Sequence, residues 1–218
     1  MLKMTRITKK YKDKLIFKQA DFTARKGEII LLMGKSGSGK STLLDMIAGV
    51  KRYDEGNYFY NDHEIFPKND EEMSRFRNHY IGYILQDFAL VDEYTTLENI
   101  ILPTLYNDKR DKDFAIDKAR KLAQRFEVAD VLGTKVKNIS GGQKQRVAIS
   151  RSLILEPPII LADEPTTNLD VENFELVMAV FQKLRKEDKI LIIASHDERL
   201  KSIADKIYRI ENYKLISQ

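Results

Sequence analysis

The stretch Gly34-Lys35-Ser36-Gly37-Ser38-Gly39-Lys40-Ser41 contains two glycines separated by four residues and followed by Lys and Ser. This spacing is the pattern of a phosphate-binding loop, or P-loop, whose backbone amides surround an anion. The apolar run Glu28–Met33 before it has the length and composition of a buried strand, and Ser41–Val50 after it has the pattern of a helix. The order of strand, glycine-rich loop and helix therefore predicts a phosphate site.

Two residues of this loop carry the predicted chemistry. Lys40 is expected to reach the β- and γ-phosphates of a nucleotide as a mobile cation, and the Ser41 hydroxyl is expected to ligate Mg²⁺. The glycines let the backbone close around the phosphate. The predicted nucleotide-binding residues of this segment are Gly34, Lys35, Ser36, Gly37, Ser38, Gly39, Lys40, Ser41 and Thr42.

A pair of acids is predicted to complete the site. Asp163 and Glu164 follow the apolar run Ile159–Ala162, and ligands of open α/β sheets bind at the ends of such strands. We expect Asp163 to hold Mg²⁺ and Glu164 to orient or deprotonate a water that attacks the γ-phosphate. Neighbouring side chains on a strand point to different sides, so the two acids need not compete for one ion.

A second glycine-rich loop, Ile139-Ser140-Gly141-Gly142-Gln143, precedes the helical pattern of Lys144–Leu155. Its place at the start of a helix also suits it to bind an anion. Two such loops in one chain can serve two nucleotides, or one loop can complete the other's site across a dimer. The spacing of the residues leaves both arrangements open.

The wider hydrophobic pattern predicts an α/β fold. The run Ile190–Ala194 resembles Glu28–Met33 and Ile159–Ala162, and continuous apolar runs are typical of strands covered on both faces in a parallel sheet. Residues 97–137 are helical in pattern without a strand, which indicates a helical subdomain inserted into a sheet-based core.

The N-terminal region is predicted to form short strands. Leu2–Ile7 and Ile16–Thr23 have strand-like patterns, and a polar turn that contains Tyr11 and Asp13 joins them. These strands precede the P-loop in the sequence and are expected to lie beside the sheet-based core.

Composition excludes several classes of protein. With 43% hydrophobic and 32% charged residues the chain is neither disordered nor fibrous, and its apolar runs are far shorter than the roughly 20 residues that span a bilayer. The N-terminus has no apolar segment of signal-peptide length, and the absence of cysteine excludes disulfides, cysteine zinc ligands and thiol nucleophiles. The net charge of +4 is too diffuse to indicate nucleic-acid binding. We expect a chain that is neither exported nor embedded in a membrane.

With these motifs in this order, the chain resembles an ATP-binding cassette (ABC) transporter ATPase from end to end. In that family the Ser-Gly-Gly-Gln loop, called the signature loop, contacts the γ-phosphate of the ATP held by the opposite subunit. The resemblance therefore implies a homodimer that forms on ATP binding. It implies that four residues act across this dimer: Ser140, Gly141, Gly142 and Gln143.

The resemblance also implies roles for residues outside the two loops. Tyr11 matches the aromatic residue that stacks on adenine, Gln86 the glutamine that touches magnesium and water, and His196 the histidine at the γ-phosphate. Residues 167–170 stand where the family's D-loop runs between the two sites. Two departures, Ile139 in place of Leu and Leu85 in place of Phe, leave the polar groups of the chemistry unchanged.

The family fold sets the expected organisation. It is a single ABC ATPase domain over residues 1–218, with a P-loop NTPase core of mainly parallel sheet flanked by helices, at about 1–85 and 138–218. An N-terminal antiparallel β subdomain and a helical subdomain at about 87–137 complete it. The implied cofactors are ATP and Mg²⁺.

Length and local sequence indicate which group of the ABC family the chain resembles. The short separation of the P-loop from Ser140 leaves no room for the long coiled-coil insertion of DNA-repair members, and a single cassette does not match translation factors. Residues 80–90, Leu97-Glu98-Asn99 and residues 102–106 are similar to macrolide-exporter and lipoprotein-release ATPases, and also to small bacteriocin-export cassettes.

This resemblance implies a cytoplasmic subunit at the inner face of the membrane that powers a separate permease and binds no nucleic acid. The alternatives are a cell-division ATPase that transmits force to envelope hydrolases and, third, an ATPase acting on nucleic acid or the ribosome. The segment Asp87–Tyr106 is expected to contact the permease, although its apolar residues can instead pack the helical subdomain. Those residues are Phe88, Leu90, Val91, Ile100, Ile101 and Leu102.

Overall fold

The computed structural model describes residues 1–12, 14–65, 69–106, 112–167 and 169–218. Its helices are α1 (Lys40–Ile47), α2 (Asp70–Tyr80), α3 (Thr96–Ile101), α4 (Lys112–Arg125), α5 (Gly141–Leu153) and α6 (Val171–Lys186). Its strands are β1 (Leu2–Tyr11), β2 (Lys14–Ala24), β3 (Ile29–Met33), β4 (Glu55–Tyr60), β5 (His63–Glu64), β6 (Ile81–Ile84), β7 (Ile159–Asp163), β8 (Ile190–Ala194), β9 (Lys206–Glu211) and β10 (Lys214–Ser217).

The main sheet has the strand order β10-β9-β3-β8-β7-β6. Strands β9, β3, β8, β7 and β6 pair in parallel, and β10 pairs antiparallel with β9 at one edge. Every residue of β3, β7 and β8 is buried, because apolar clusters cover both faces of the sheet. This confirms the predicted α/β fold and the interpretation of the three apolar runs as central parallel strands.

A second sheet, with the order β2-β1-β4-β5, is antiparallel throughout. It confirms the predicted antiparallel β subdomain, but its first two strands are longer than the sequence indicated. Tyr11 is the last residue of β1 and pairs with Lys14, so the prediction that it lies in the connecting turn was wrong. The polar pair Lys9-Lys10 obscured this extension, because the C-terminal end of the strand reaches solvent. Asp13 lies outside the described residues.

Several elements were not predicted. Strand β4 carries Gly56 and Asn57, and β5 has only two residues, so neither shows a strand pattern of useful length. Helix α2 is mostly polar and buries only Met73 and Phe76. Its start is marked by Asn69, whose side chain accepts a hydrogen bond from the Glu72 amide. Strands β9 and β10 form the edge of the main sheet and are only partly buried.

The chain leaves the main sheet after β6 and returns to it in β7. Between these strands lie α3, α4 and α5, together with 3₁₀ turns at Leu102–Tyr106, Ala129–Val131 and Val136–Asn138. A single antiparallel bridge, Thr95 with Lys135, ties the start of α3 to residues before α5. Among the described residues of this segment, no strand is present, as its sequence pattern predicts.

The apolar residues expected at a permease interface separate into two groups. Ile100 is fully buried, and Leu90 and Ile101 pack against the main core. The exposed apolar or aromatic side chains of this segment are those of Val91, which was predicted, and of Tyr94, Leu105 and Tyr106. The interpretation of Ile100 as a surface residue was therefore wrong, whereas Phe88, Leu90, Ile101 and Leu102 are partly buried. Within the part of the chain that the structure describes, no helix has the length and apolar character needed to cross a membrane.

Candidate active site at the carboxyl edge of the main sheet

Four loops meet where the central strands end. In the strand register Leu32 stands opposite Ala194, Ala194 opposite Asp163, and Ala162 opposite Ile84. The loops that begin at Gly34, Ser195, Glu164 and Leu85 therefore leave the sheet at the same edge. This edge is where ligands of open parallel sheets bind.

The P-loop is shaped by its glycines. Gly39 caps α1 with φ 112°, and a side chain there would lie 2.6 Å from Ile16 Cγ2. Gly37 has φ 73°, so both positions use the left-handed backbone that glycine tolerates. No side chain caps the first turn of α1, which leaves its amides available to an anion. Ser41 and Thr42 follow Lys40 in this turn.

An open groove of about 790 Å³ runs along the P-loop. P-loop residues 34–38 form one side of it, and His196 and Glu198 come from the loop after β8. Residues 209–212 of β9 and the following turn line the rest. The predicted phosphate loop and His196 therefore share one cavity.

Lys40 and Glu164 face each other at the base of this site. The Lys40 ammonium is almost fully buried, donates a hydrogen bond to the Gly34 carbonyl oxygen at 3.0 Å, and lies 3.9 Å from Glu164 Oε1. Their side chains are 9% and 12% exposed, so this charge pair is largely shielded from water. A cation and a carboxylate are thus placed beside the amides of the P-loop.

The orientation of Glu164 is fixed by the end of β8. Its amide donates to the Ala194 carbonyl at 2.8 Å, and its backbone is left-handed with φ 47°. Its Oε2 accepts a hydrogen bond from the Ser195 hydroxyl at 2.9 Å and lies 3.0 Å from His196 Nδ1. A strained backbone that neighbouring groups hold in place is common at functional sites. Sequence reasoning missed Ser195, whose only signal is its place directly before His196.

Asp163 offers an oxygen to a metal. It ends β7 and is 7% exposed, and its Oδ1 is buried with no hydrogen-bond partner among the described residues. Burial raises the pKa of the Asp163 carboxyl, while a hydrogen bond with the Ser41 side chain acts against this shift. An unpaired buried carboxylate oxygen beside a hydroxyl is a donor set that suits Mg²⁺.

The rest of the coordination shell must come from the ligand. No group of three or more His, Cys, Asp or Glu side chains converges to hold a metal within the described ranges. Magnesium at nucleotide sites is commonly held by one or two protein oxygens together with phosphate and water. Ser41 and Asp163 fit this arrangement, with a nucleotide phosphate as the further ligand.

Tyr11 and Gln86 lie outside the lining of this groove, which also does not include Lys40, Ser41, Asp163 or Glu164. The Tyr11 ring is 39% exposed and packs near the ammonium groups of Lys9 and Lys51, at 4.9 and 5.8 Å from the ring centroid. Gln86 lies in the exposed turn after β6, at the same sheet edge as Asp163. Their contacts with nucleotide and metal stay predictions.

The signature loop does not line the groove either. Ser140 caps α5, its hydroxyl accepts from the Gln143 amide at 3.2 Å, and the Gln143 side chain accepts from the Ser140 amide at 2.9 Å. This reciprocal arrangement is a capping box. The two glycine-rich loops of one chain are therefore separate features of its surface.

The signature loop packs against the start of α6. A side chain on Gly142 would lie 2.6 Å from Asn173 Oδ1, so the two residues are in close contact. The Asn173 amide group donates to both carboxylate oxygens of Asp170 at 2.9 Å, and its oxygen accepts from Arg146. Asp170 belongs to the predicted D-loop, of which Asn168 lies outside the described residues. Sequence reasoning missed Asn173 and Arg146, which carry no motif signal.

Comparison with known proteins decides the family. The family model described as ABC transporter matches residues 17–167. The chain belongs to the ABC transporter family. The matched residues include the P-loop, the acidic pair and the signature loop, and the chain is an ATPase whose ATP hydrolysis is coupled to transport.

Relatives place this ABC ATPase more closely. The lipoprotein-releasing system ATP-binding protein LolD of Cytophaga hutchinsonii is 40% identical, and the alignment covers 94% of each chain. The macrolide export ATP-binding/permease protein MacB of Campylobacter jejuni is 33% identical over all of this chain, which spans 34% of that longer protein. These relatives confirm the predicted likeness to the macrolide-exporter and lipoprotein-release group.

A solved structure supports the fold and the ligand. The ATP-binding cassette MJ0796, in a dimeric post-hydrolysis state bound to ADP and Pi, is 31% identical and superposes with a TM-score of 0.92. The comparison covers 100% of this chain and 98% of the other. This ABC ATPase therefore has the fold of a cassette that binds adenine nucleotide.

Proposed function

We propose that two copies of this ABC ATPase close head to tail on ATP at the cytoplasmic face of the membrane, and that this movement drives a separate permease. The cargo is a peptide, lipid-linked or drug-like substrate that is exported or extracted. The observation that carries the proposal is the arrangement of Glu164, held by Ser195 and His196 opposite Lys40. The dimeric state of MJ0796 and the names of the relatives support it.

Within one subunit the P-loop binds the phosphates. The amides at the start of α1 and the Lys40 ammonium, released from the Gly34 carbonyl, neutralise the β- and γ-phosphates. Ser41, Asp163 and Gln86 would hold Mg²⁺, which supplies positive charge that stabilises the transferring phosphoryl group. Tyr11 stacks on the adenine ring.

Glu164 and His196 act on the attacking water. Glu164 accepts the water's proton or fixes its direction, because its carboxylate is already oriented by the Ser195 hydroxyl. The His196 ring, anchored at Nδ1 to the same carboxylate, presents its other nitrogen to the γ-phosphate. In this arrangement Ser195 and His196 prevent Glu164 from turning away from the phosphate.

The second subunit completes the site. The signature loop does not line its own chain's groove. By the likeness to the ABC family, we assign Ser140, Gly142 and Gln143 of the opposite copy to the γ-phosphate bound in that groove. ATP thus binds the closed pair better than the open pair, and this difference in affinity is what does mechanical work. Hydrolysis removes the bridging phosphate and opens the dimer.

The test of this function is Glu164→Gln. We expect turnover to fall by at least about 10³-fold while ATP binding stays within about twofold, because phosphate and metal ligands remain and only the proton acceptor is lost. ATP should then trap a dimer that size-exclusion chromatography with Mg-ATP detects. A matched control is Glu198→Gln, which removes a carboxylate from the same groove without removing the proton acceptor.

Two results would contradict the assignment. Full hydrolysis by the Glu164→Gln protein would remove Glu164 from its role. Loss of turnover with no ATP-dependent dimer, although ATP still binds, would contradict the head-to-tail closure.

The permease is proposed to bind near the 3₁₀ turn Leu102–Tyr106. Leu105 and Tyr106 are 67% and 79% exposed, and Tyr106 borders a groove of about 690 Å³ that also contains Arg75, Arg77 and Leu155. Neighbouring exposed apolar side chains of this kind are typical of an interface.

A membrane pull-down tests this surface. Leu105→Glu with Tyr106→Glu should abolish recovery with membranes that contain the permease and leave basal ATPase activity within about twofold, since a charge buried at the contact costs several kcal/mol. Ile216→Glu, on the exposed strand at the far edge of the main sheet, is the control and should be recovered normally. Unchanged recovery of the double variant contradicts the proposed surface.

The alternatives predict different results. A cell-division ATPase would be recovered with membranes but would move no cargo when reconstituted with its partner in vesicles. An ATPase that acts on nucleic acid would be stimulated by DNA or RNA in a strongly salt-dependent way. ATPase assays with and without nucleic acid separate this third function from the proposed one.

A further inference from the structure

Helix α5 connects two parts of the molecule that the proposed function assigns to the γ-phosphate. Its N-cap is Ser140 of the signature loop, and near its other end Arg151 reaches the turn that follows Gln86. Eleven residues of helix separate these two points by about 16 Å at a rise of ~1.5 Å per residue. One rigid element therefore touches both loops.

The side chain of Arg151 contacts backbone carbonyl groups of the turn. Its guanidinium donates one hydrogen bond to the Phe88 carbonyl at 2.6 Å and a second to the Ala89 carbonyl at 2.5 Å. Arg151 is half-buried, and the charge of Asp87 in the same turn interacts favourably with its guanidinium. A planar fork of N–H groups suits two adjacent acceptors, which a lysine ammonium does not reproduce.

The turn itself has an unfavourable backbone. Phe88 and Ala89 have φ values of 63° and 46°, and the Phe88 amide donates to the Leu85 carbonyl at 3.0 Å. Left-handed backbone is costly for residues other than glycine, and two in succession need support from outside the turn. The two hydrogen bonds from Arg151 supply that support.

A second anchor lies just beyond the turn. The fully buried Asn99 of α3 accepts a hydrogen bond from the Val91 amide at 2.8 Å and donates to the Val91 carbonyl at 3.0 Å. The segment from Gln86 to Val91 is thus fixed to α5 and α3, whereas Leu85 continues directly from β6 of the main sheet. The turn therefore connects the main sheet to helices α3 and α5.

We propose that Arg151 is a positioning residue that ties the Gln86 turn to α5, so that Gln86 and the signature loop of one subunit move as a unit. The inference rests on the proposed role of Gln86 at the magnesium and water. Binding at one γ-phosphate then acts on Gln86 directly, and α5 carries the displacement to the signature loop that faces the other nucleotide.

The experiment compares Arg151→Met, Arg151→Lys and Ala89→Gly with the double variant Arg151→Met/Ala89→Gly in the full chain. We expect Arg151→Met to lower kcat about tenfold with KM for ATP within about twofold, because two charge-assisted hydrogen bonds are lost away from the nucleotide. The kcat of Arg151→Lys should lie between those of Arg151→Met and the wild type, since a single ammonium replaces the planar N–H donors of the guanidinium. Arg120→Met, which removes an exposed arginine of α4, is the control and should match the wild type.

Rescue by glycine separates positioning from a merely structural role. Glycine adopts left-handed backbone without strain, so Ala89→Gly should recover kcat at least about threefold in the Arg151→Met background. Hydrogen exchange of the amides in residues 86–91 should be faster in Arg151→Met and slower again in the double variant. Either a wild-type kcat in Arg151→Met, or a loss that Ala89→Gly does not recover, would overturn the proposal.

If the proposed function is wrong, the experiments give a different set of results. Wild-type activity in Gln86→Ala would contradict the assigned role of Gln86, and the hydrogen-exchange comparison would still decide whether Arg151 holds the turn. If amide hydrogen exchange in residues 86–91 is unchanged in Arg151→Met, Arg151 does not hold the turn against α5, whatever the ATPase activity of the variant.

Discussion

The P-loop and the signature loop are both glycine-rich and both precede a helix, yet their surroundings differ. The P-loop helix α1 begins at a glycine with no side-chain cap, and a lysine and two acids stand around it. The signature helix α5 is capped by Ser140. The Ser140 hydroxyl accepts a hydrogen bond from the Gln143 amide, and the Gln143 side chain accepts one from the Ser140 amide. One loop is an open anion site, and the other is already capped.

The difference supports the proposal that a working site needs a second copy of the chain. An uncapped helix start beside Lys40 binds phosphate within its own subunit. The amides of the capped loop already have side-chain partners and Asn173 packs behind it, so the loop gains less than the P-loop by binding an anion alone. In the proposed function it contributes when a phosphate already held by another chain is brought to it.

The largest expected difference between the two loops is in ATP binding by the monomer. Lys40→Ala should raise the Kd for ATP by about tenfold to a hundredfold, because the buried cation that meets the phosphates is lost. Ser140→Arg should leave this Kd within about twofold and yet abolish hydrolysis, because it blocks the approach of the second subunit. Isothermal titration calorimetry at a protein concentration that keeps the chain monomeric measures the Kd of each variant for ATP. Equal losses of ATP binding in the two variants would contradict the proposed difference between the loops.

An intermediate effect is expected from the packing behind the signature loop. Gly142→Ala should lower kcat about tenfold, because the new methyl group displaces Asn173 from Arg146 and Asp170 and shifts the loop. Gly133→Ala, where an added methyl group meets nothing within 4 Å, is the control. Steady-state ATPase assays compare the two, and a wild-type kcat for Gly142→Ala would show that the loop tolerates movement.

The smallest expected effect concerns the P-loop side and stability. Because burial raises the pKa of Asp163, its ionised form opposes folding above that pKa, and the cost disappears as the pH falls and the carboxyl is protonated. Asp163→Asn should therefore raise Tm by about 2–4 °C at pH 8, less at pH 5, while abolishing Mg²⁺-dependent turnover. Thermal unfolding in EDTA tests it, and a lower Tm at pH 8 would contradict the cost assigned to this carboxylate.

The sequence predicted the central features because their signals are local. The runs that became β3, β7 and β8 are apolar without interruption, and the P-loop glycines have a fixed spacing. Strand β4 and helix α2 were not predicted because neither has a repeating apolar pattern in its sequence. Tertiary contacts hold both elements in place.

The same limit applies to the site. Asp163, Glu164 and His196 could be predicted because each lies at the end of an apolar strand or within two residues of it. Ser195, Asn173 and Arg151 could not, since each acts on a residue more than twenty positions away, through hydrogen bonds that only the folded chain creates.

The central claim is that a working site combines the P-loop of one subunit with the signature loop of another. Mixing equal amounts of the Lys40→Ala and Ser140→Arg proteins tests it directly, because their heterodimer contains one site with both residues intact. The account predicts recovery to about one quarter of wild-type ATPase activity, since half of the dimers are mixed and each has one working site of two. A mixture as inactive as its parents, while wild type mixed with Lys40→Ala shows that a single site can turn over, would contradict it.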